Sequence, residues 1–227
     1  MIEFKSVTKK YFGGKYALNK ATFTIDQGEF VYLIGPSGAG KTTILKMLIR
    51  ELSPSSGKIL YNGHDITKFS KGNVARLRRK IRIVFQDFKI LYDRTLLENV
   101  MLSLYILGRR GKEAEVEAKK VLKLVGLEGK HAMFPVQISA GELQRVAIAR
   151  ALAGGSEVLL ADEPTGNLDP ATGGDIVKLL EEIHEEGTTV IVTTHNAELV
   201  DRSKRRVIEL SDGTVARDEQ EGRYHAS

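Results

Sequence analysis

The chain has 227 residues, contains no cysteine and carries 34 lysines and arginines against 29 acidic residues, for a net charge of +5. The lack of cysteine excludes disulfides, thiol catalysis and cysteine-ligated zinc, and a composition of 42% hydrophobic and 28% charged residues excludes wholesale disorder. The mild basic excess fits a protein that handles phosphates, nucleic acid or anionic lipid, and it fits a plain solvated surface equally well.

The first third of the chain is predicted to be rich in strands. Its apolar residues alternate with polar ones or form short runs bounded by glycine, which is typical of strands. The predicted strands are Ile2/Phe4, 18–25, 30–34, 58–61 and 81–85. A helix is predicted over 41–52, directly after the glycine-rich segment that follows the third strand.

The middle of the chain is predicted to be helical, because leucine and valine recur there at three- and four-residue spacings. The last third returns to alternating strands and helices and ends in a hairpin around a Ser-Asp-Gly turn. The elements predicted in these parts are helices 96–107, 113–125 and 139–153, strands 158–161 and 189–193 with helix 175–185 between them, and hairpin strands 207–210 and 214–217. This order predicts an α/β fold with a strand-rich start, a parallel core and a helical insertion.

A phosphate-binding loop is predicted between the third strand and the first helix. The segment fits the pattern G-x-x-x-x-G-K-[ST], in which glycines let the backbone wrap around an anion and the helix N-terminus adds positive potential. We expect Lys41 to reach the β- and γ-phosphates and the Thr42 hydroxyl to ligate Mg²⁺; the alternative is a glycine-rich turn without a ligand. The loop residues are Gly35, Pro36, Ser37, Gly38, Ala39, Gly40, Lys41, Thr42 and Thr43.

Two carboxylates end the predicted strand 158–161. Ligands of parallel sheets bind at the carboxyl ends of the strands, so Asp162 is a candidate Mg²⁺ ligand, directly or through water. Glu163 is a candidate base that orients and deprotonates a water molecule for attack on the γ-phosphate. Alone, the pair also fits a strand end that meets solvent; the phosphate loop makes the catalytic interpretation the stronger one.

The segment 138–151, Ile-Ser-Ala-Gly-Glu-Leu-Gln-Arg-Val-Ala-Ile-Ala-Arg-Ala, opens a long helix. Ser139 and Glu142 fit a capping box, which is a purely structural explanation. The segment also resembles the signature motif of ABC ATPases, Leu-Ser-Gly-Gly-Gln followed by a helix rich in glutamine and arginine. With the phosphate loop and the two carboxylates, this resemblance extends over essentially the whole chain.

Other positions match that family's motifs one by one. Gln86 follows a strand, as the Q-loop glutamine does, and is expected to act in catalysis and to ligate the metal. Asp169 ends a Gly-Asn-Leu-Asp run that resembles the D-loop, and His195 ends a strand as the switch histidine does. Tyr11 precedes the phosphate loop by the distance expected of the aromatic residue that stacks on adenine.

The resemblance implies a fold, an activity and a set of roles. The fold is a P-loop ABC ATPase core with a mostly parallel sheet, an N-terminal antiparallel β subdomain and a helical subdomain, divided as core 1–86 and 157–227 and helical subdomain 87–156. The activity is Mg²⁺-dependent hydrolysis of ATP. The implied catalytic residues are Glu163, His195, Gln86 and Lys41; the implied metal ligands are Thr42, Gln86 and Asp162; and nucleotide contacts beyond the phosphate loop are implied for Tyr11, Ser139, Gly141, Glu142 and Asp169.

The family works as a head-to-tail pair, in which each ATP lies between the phosphate loop of one copy and the signature helix of the other. This sequence departs from the usual signature at Ile138, Ala140, Glu142 and Leu143 and retains the second glycine, Gly141. The methyl group of Ala140 is expected to crowd the nucleotide of the second copy and to weaken dimerisation and turnover.

The longest apolar runs, such as 100–107, are far shorter than a bilayer span, and the first twelve residues lack a signal-peptide core. An ABC ATPase of this kind needs an integral membrane partner, so we expect a peripheral protein on the cytoplasmic face of the inner membrane. The expected docking segment is 86–91, where Phe88, Ile90 and Leu91 supply an apolar surface; the alternative is that they pack inside the helical subdomain. No nucleic acid partner is expected.

Finer resemblance favours one group within the family. The segments 85–91 and 217–224 resemble those of the bacterial cell-division ATPases, whose membrane complex regulates peptidoglycan hydrolases. The closest rival is the ATPase of a lipoprotein-release or macrolide-export transporter, which shares the run 164–169. A soluble ABC ATPase and a nucleotide-dependent scaffold with low turnover are further alternatives.

Overall fold

The computed structural model describes residues 1–11 and 13–224. Phe12 and residues 225–227, all within the predicted core, lie outside the described residues. The strands of the described part are β1 (Ile2–Lys10), β2 (Tyr16–Ile25), β3 (Phe30–Ile34), β4 (Ser56–Tyr61), β5 (His64–Asp65), β6 (Ile81–Val84), β7 (Val158–Asp162), β8 (Thr189–Thr193), β9 (Arg206–Ser211) and β10 (Thr214–Glu219).

The helices connect these strands, and three consecutive ones lie between β6 and β7. The α-helices of the described residues are α1 (Lys41–Leu48), α2 (Lys71–Lys80), α3 (Leu96–Ile106), α4 (Gly111–Leu124), α5 (Ala140–Leu152), α6 (Pro170–Glu185) and α7 (Ala197–Ser203). Short 3₁₀ helices lie at Ile66–Lys68 and Pro135–Gln137. Helices α3, α4 and α5 fall within the predicted range of the helical subdomain.

Each predicted strand and helix corresponds to an element of the structure, and most helix ends agree within two residues, but the end of α1 and the start of α6 differ by more. Helix α1 ends at Leu48 instead of 52, because Arg50 adopts a left-handed conformation with φ 56° and the following N–H groups bond back to the Lys46 carbonyl. Helix α6 begins five residues earlier than predicted, because the Asp169 side chain accepts a hydrogen bond from Thr172 N at 3.0 Å and Pro170 occupies the first turn.

Helices α2 and α7 and the short strand β5 were not predicted. Helix α2 has Leu77 as its buried residue and five basic side chains, so its sequence lacks the apolar stripe that marks a helix. Its start is nevertheless encoded, because Ser70 caps it by accepting from Asn73 N at 3.4 Å. Asn196 caps α7 in the same way.

The strands form two sheets. The first sheet has the order β2-β1-β4-β5 and is antiparallel throughout, as the family resemblance predicts. The second has the order β10-β9-β3-β8-β7-β6, in which every neighbouring pair is parallel except β9 and β10. The carboxyl ends of β3, β7 and β8 therefore meet at one edge, which is where the phosphate loop and the two carboxylates follow.

Two hydrophobic clusters hold the layers together. One fills the space between the antiparallel sheet and the second sheet and includes the apolar face of α1, with Ile44, Leu45 and Leu48 fully buried. The other packs the helices α3 to α6 against the opposite face of the second sheet, around Tyr32 and Leu159. The second sheet is thus covered on both faces, as parallel sheets require.

The C-terminal hairpin is held by ion pairs. Arg206, 9% exposed, donates to Asp218 through Nε and Nη2, both at 2.8 Å, and to the Glu29 carboxylate at 2.9 Å. Arg217 pairs with Glu209 at 2.9 Å and donates to the Arg223 and Tyr224 carbonyls. The segment 217–224 therefore has a structural role in tying β10 to β9.

Glu157 joins the two sheets and should make stability depend on acid pH. Its carboxylate accepts hydrogen bonds from the Tyr61 hydroxyl in β4 and from Lys80 at 2.7 Å. Burial alone would raise the pKa of Glu157, but the bonds from Lys80 and Tyr61 outweigh burial and lower the pKa. A lowered folded-state pKa stabilises the protein above the unfolded value, about 4.3, and that contribution is lost as pH falls through the folded value.

We therefore expect Glu157→Gln to make the free energy of unfolding depend less on pH under acidic conditions. Between about pH 5 and pH 3 the free energy of unfolding should fall less steeply in the variant than in the wild type, as measured by urea denaturation at several pH values. Glu128→Gln, which removes an exposed carboxylate paired with Lys123, is the control and should behave like the wild type. Equal pH slopes for all three proteins would contradict the assignment.

Among the residues the structure describes, every helix is too short or too polar to cross a lipid bilayer.

Candidate functional site

The phosphate loop follows β3, lies against the backbone of β9 at Gly35 and leads into α1. Gly35 has φ 134°, and a side-chain carbon there would lie 2.2 Å from the Leu210 carbonyl oxygen in β9. A glycine is therefore required at this position by both conformation and contact. Pro36 and Ala39 close the loop, with Ala39 N donating to Pro36 O at 3.1 Å.

The first turn of α1 brings together the basic and hydroxyl groups of the loop. Lys41, Thr42 and Thr43 occupy this turn, where backbone N–H groups have no partner within the helix and the dipole favours anions. Lys41 is buried and its Nζ donates to Gly35 O at 2.6 Å and Pro36 O at 3.2 Å. The ammonium group thus lies inside the curve of the loop, as an anion-binding role requires.

Asp162 and Thr42 meet although 120 residues separate them in the sequence. Asp162 Oδ1 accepts from Thr42 Oγ1 at 3.1 Å and from Thr193 Oγ1 at 2.7 Å. Two of the three predicted metal ligands, Thr42 and Asp162, therefore lie next to each other. Their oxygen atoms suit Mg²⁺, which is commonly held by one or two carboxylates, hydroxyls and water together with substrate phosphates.

Glu163 and His195 form a bonded pair at the carboxyl ends of β7 and β8. His195 Nδ1 lies 2.9 Å from Glu163 Oε2, and His195 N donates to the same oxygen at 3.3 Å. The Glu163 backbone is left-handed, with φ 49°, and its N–H donates to Thr193 O at 3.1 Å and Thr193 Oγ1 at 3.0 Å. A non-glycine residue in this conformation is strained, and here it directs a carboxylate with 17% exposure towards the loop.

Gln86 follows β6 and is tied to the D-loop-like segment. Its carbonyl accepts from Asn167 Nδ2 at 2.9 Å, and its Nε2 donates to Asn167 Oδ1 at 3.4 Å. Gln86 is exposed and lines two neighbouring cavities, one of about 640 Å³ and one of about 590 Å³ that Thr42 and Asp162 also line. Its side chain therefore lies beside the two metal-ligand candidates.

One cavity of about 640 Å³ unites most of the predicted site. The predicted residues that line it are Tyr11, Ser37, Gly38, Gly40, Lys41, Thr42, Thr43, Gln86, Glu163 and His195. Tyr11 is 45% exposed, and Lys9 Nζ lies 5.5 Å from the centre of its ring. Its ring is available to stack on a base, in the place where the adenine-contacting aromatic residue was predicted.

The predicted signature residues lie outside this cavity, at the start of α5. The Ser139 side chain caps the helix by accepting a hydrogen bond from Glu142 N. In turn, Ser139 N donates to Glu142 Oε2 at 2.9 Å. Both the capping box and the signature interpretation therefore fit the same residues. A side-chain carbon at Gly141 would lie 2.3 Å from Thr172 Cγ2, so Gly141 allows α5 to contact the start of α6, which Asp169 caps.

Three further residues hold or line the candidate site and were not predicted from the sequence. Thr193 holds both Asp162 and the Glu163 backbone; the β7–β8 register pairs Asp162 with Thr193, but that register is fixed by the sheet and not by a motif. Asn167 holds Gln86, and its place two residues before the predicted Asp169 was the available signal. Lys15 lines the cavity of about 640 Å³ and belongs to no motif.

The expected docking segment 86–91 is partly internal. Ile90 is 7% exposed and belongs to the helical core, and Phe88 packs against the same core, so for these two the alternative of internal packing holds. Leu91 is 41% exposed and the adjacent Tyr92 is 55% exposed. The apolar surface of this segment is therefore supplied by Leu91 and Tyr92.

Comparisons with known proteins agree on one family. The model of the ABC transporter family matches residues 18–166. The chain is 48% identical to the cell division ATP-binding protein FtsE of Bacillus subtilis, over 99% of this chain and 98% of the relative. It is 46% identical to the protein of the same name from Mycobacterium tuberculosis, over 99% and 98%.

A solved structure is similar over nearly the whole fold. It is a dimeric ATP-binding cassette in a post-hydrolysis state, bound to ADP and Pi. Its sequence is 38% identical to this chain, the TM-score is 0.87, and the match covers 98% of this chain and 99% of that one.

Proposed function

The chain belongs to the ABC transporter family and is an ATPase of that family, and we propose that it is the ATP-hydrolysing subunit of a bacterial cell-division complex of the FtsE–FtsX type. In this role it transmits conformational change to an integral membrane partner that regulates peptidoglycan hydrolases. The single observation that carries the proposal is the near-complete match, at 48% identity, to a cell division ATP-binding protein.

The reaction needs a base for water and an electropositive cradle for phosphate. Glu163 accepts a proton from water as the water oxygen bonds to the γ-phosphorus and the bond to the β–γ bridging oxygen breaks, which yields ADP and phosphate. His195 holds the Glu163 carboxylate through the 2.9 Å contact. Lys41 and the N–H groups of the first turn of α1 bind the phosphates, and Tyr11 stacks on the adenine.

Mg²⁺ is proposed to be held by Thr42, Asp162 and Gln86, whose oxygen atoms fit it. When bound, it neutralises charge on the β- and γ-phosphates. Thr193 positions Asp162 for this task through its 2.7 Å hydrogen bond.

ATP is proposed to join two copies of the chain head to tail, because the second half of the site lies at the start of α5 and outside the cavity of the same copy. In this pair the Ser139 hydroxyl and the N-terminal groups of α5, including Gly141 and Glu142, face the γ-phosphate bound by the other copy, with Asp169 at the same boundary. The related dimer with ADP and Pi supports such an arrangement.

Ala140→Gly is expected to strengthen this pair. Ala140 is exposed at the first position of α5, so its methyl group points to the surface where the second copy would approach. The variant should dimerise with ATP at lower protein concentration and hydrolyse ATP faster at a given concentration, as measured by sedimentation and phosphate release. Unchanged hydrolysis and an unchanged dependence on protein concentration would show that the methyl group does not crowd the pair.

The membrane partner is proposed to dock beside Gln86, on a surface that begins at Leu91. Arg150 donates to the Phe88 carbonyl at 3.0 Å and to the Lys89 carbonyl at 2.6 Å, and it lines a groove next to this segment. A second, larger groove shares Arg78 and Arg82 with the first. The larger groove has a volume of about 660 Å³. The basic side chains that line it are Arg50, Lys71, Arg78, Arg79 and Arg82. This groove also contains the exposed Ile106. A basic surface with an exposed apolar residue supports the proposed position at the cytoplasmic face of the membrane.

The rival assignment is the ATPase of a lipoprotein-release or macrolide-export transporter. Every catalytic proposal above holds equally for that assignment, so the membrane partner is what distinguishes the two. A soluble ABC ATPase would lack a membrane partner, and a scaffold would bind ATP with little turnover.

The test is purification of tagged Glu163→Gln protein from solubilised membranes of the source organism with ATP and Mg²⁺, with tagged Lys41→Ala protein as the control that should not form the ATP-bound pair. Recovery of an FtsX-like membrane protein, crosslinked to regulators of cell-wall hydrolases, is the expected result. A lipoprotein or drug exporter subunit would overturn the division role, and ribosomes or DNA without a membrane protein would overturn the membrane role.

A further inference from the structure

Glu142 places a negative charge in the first turn of α5, beside the residues proposed to receive a γ-phosphate. Both carboxylate oxygens are engaged: Oε2 accepts from Ser139 N at 2.9 Å and Ser139 Oγ at 3.1 Å, and Oε1 contacts Lys130 Nζ. The contact with Lys130 and the Ser139 bonds lower the pKa of Glu142, so its carboxylate stays ionised at neutral pH. An approaching phosphate therefore meets a carboxylate as well as the helix dipole.

Lys130 reaches Glu142 from outside the helix. It lies in the turn after α4, where its own N–H donates to Leu127 O at 3.2 Å and its carbonyl accepts from Met133 N at 2.9 Å. The side chains of Lys130 and Glu142 are 41% and 25% exposed. The pair is thus fixed by backbone bonds on one side and by the capping box on the other, and it lies at the surface.

The helix cap itself does not require Lys130, since the Ser139 hydroxyl accepts from Glu142 N and Glu142 Oε2 accepts from Ser139 N. A capping box works equally with glutamine at the position of Glu142. What Lys130 adds is a positive charge that offsets the carboxylate at a helix end where an anion is favoured by the dipole.

We propose that Lys130 is a positioning residue for ATP turnover, which neutralises and holds Glu142 so that the start of α5 can receive the γ-phosphate bound by a second copy. The inference rests on the proposed head-to-tail pair and adds to it a charge requirement within each copy. It predicts that the two residues depend on each other: Lys130 is needed as long as position 142 carries a negative charge.

The test is a double-mutant cycle in the Glu163→Gln background, with ATP-dependent dimerisation measured by analytical ultracentrifugation. Lys130→Ala should weaken the dimer roughly tenfold, because it leaves a carboxylate facing the phosphate. Glu142→Gln should tighten the dimer, because it removes the carboxylate that opposes the phosphate and keeps a residue that completes the capping box. Lys130→Ala should not weaken the dimer when it is combined with Glu142→Gln. Lys130→Arg should retain dimerisation. Lys123→Ala, which breaks an exposed pair with Glu128, is the matched control and should have no effect.

Two further readouts separate this role from a merely structural one. Binding of ATP to the monomer, measured with a fluorescent ATP analogue, should be the same in all variants, and their melting temperatures should agree within a few degrees. Failure of Glu142→Gln to rescue Lys130→Ala, or an unchanged dimer in Lys130→Ala, would overturn the inference while the head-to-tail pair stands. A parent protein that stays monomeric with ATP would overturn the pair and the inference with it.

Discussion

Glu163→Gln is expected to abolish turnover while preserving ATP binding, so that ATP holds the protein as a dimer. Glutamine keeps the size of the side chain and can still bond to His195, but it cannot accept a proton from the attacking water. Loss of a general base typically lowers the rate by about 10²–10⁴-fold. Phosphate release and sedimentation with and without ATP measure the two effects in the same preparation.

The matched control is Glu198→Gln, which changes an exposed carboxylate in α7 that pairs with Arg202. It should hydrolyse ATP as the wild type does and should not be trapped as a dimer. Equal hydrolysis by wild type and Glu163→Gln would remove Glu163 from the mechanism, and loss of ATP binding in the variant would assign it a binding role instead.

Lys41→Ala is expected to act one step earlier, on nucleotide binding itself. Lys41 Nζ is held at the inside of the phosphate loop by the Gly35 and Pro36 carbonyls, so its loss removes a charge-assisted contact with phosphate. Hydrogen bonds to charged groups contribute about 1.5–3 kcal/mol, which corresponds to roughly a 10- to 100-fold weaker affinity for ATP. Titration calorimetry measures this directly.

Lys46→Ala provides the comparison on the same helix. Lys46 is 36% exposed and pairs with Glu51 at 3.3 Å, so its loss should leave ATP affinity nearly unchanged. If Lys41→Ala binds ATP as tightly as Lys46→Ala does, the lysine contributes to the fold of the loop and not to phosphate binding.

Much of the fold could be predicted because local patterns and tertiary structure agree. The short apolar run of β3, the glycines that follow and the helix after them occur in the order that a phosphate loop needs. Helix α2 could not be predicted, because its stability comes from a cap at Ser70 and from packing of Leu77 in the core. With one buried apolar residue, α2 shows no repeating apolar pattern in a sequence dominated by arginine and lysine.

The candidate site was predictable where chemistry is encoded in a contiguous motif and was missed where it depends on strand register. Asp162 and Glu163 stand out as carboxylates after an apolar strand. Thr193, which holds both, is one threonine among several until β7 and β8 are paired. The burial of Ile90 could not be predicted from the sequence either, because an apolar residue near an exposed glutamine fits a surface and a core equally well.

The ion pairs of the C-terminal hairpin fix strand β9, and a backbone carbonyl of β9 contacts the phosphate loop. The Leu210 carbonyl fills the space where Gly35 lacks a side chain, and β9 is fixed in turn by the bonds from Arg206 to Asp218 and from Arg217 to Glu209. Proteolytic removal of β10 would leave Arg206 with Glu29 as its remaining carboxylate partner and would leave β9 as an edge strand held by its pairing with β3. A tag or fusion partner attached near this hairpin would thus act on the same contact, and nucleotide affinity should be compared between proteins labelled at either end before any labelled form is used in cells.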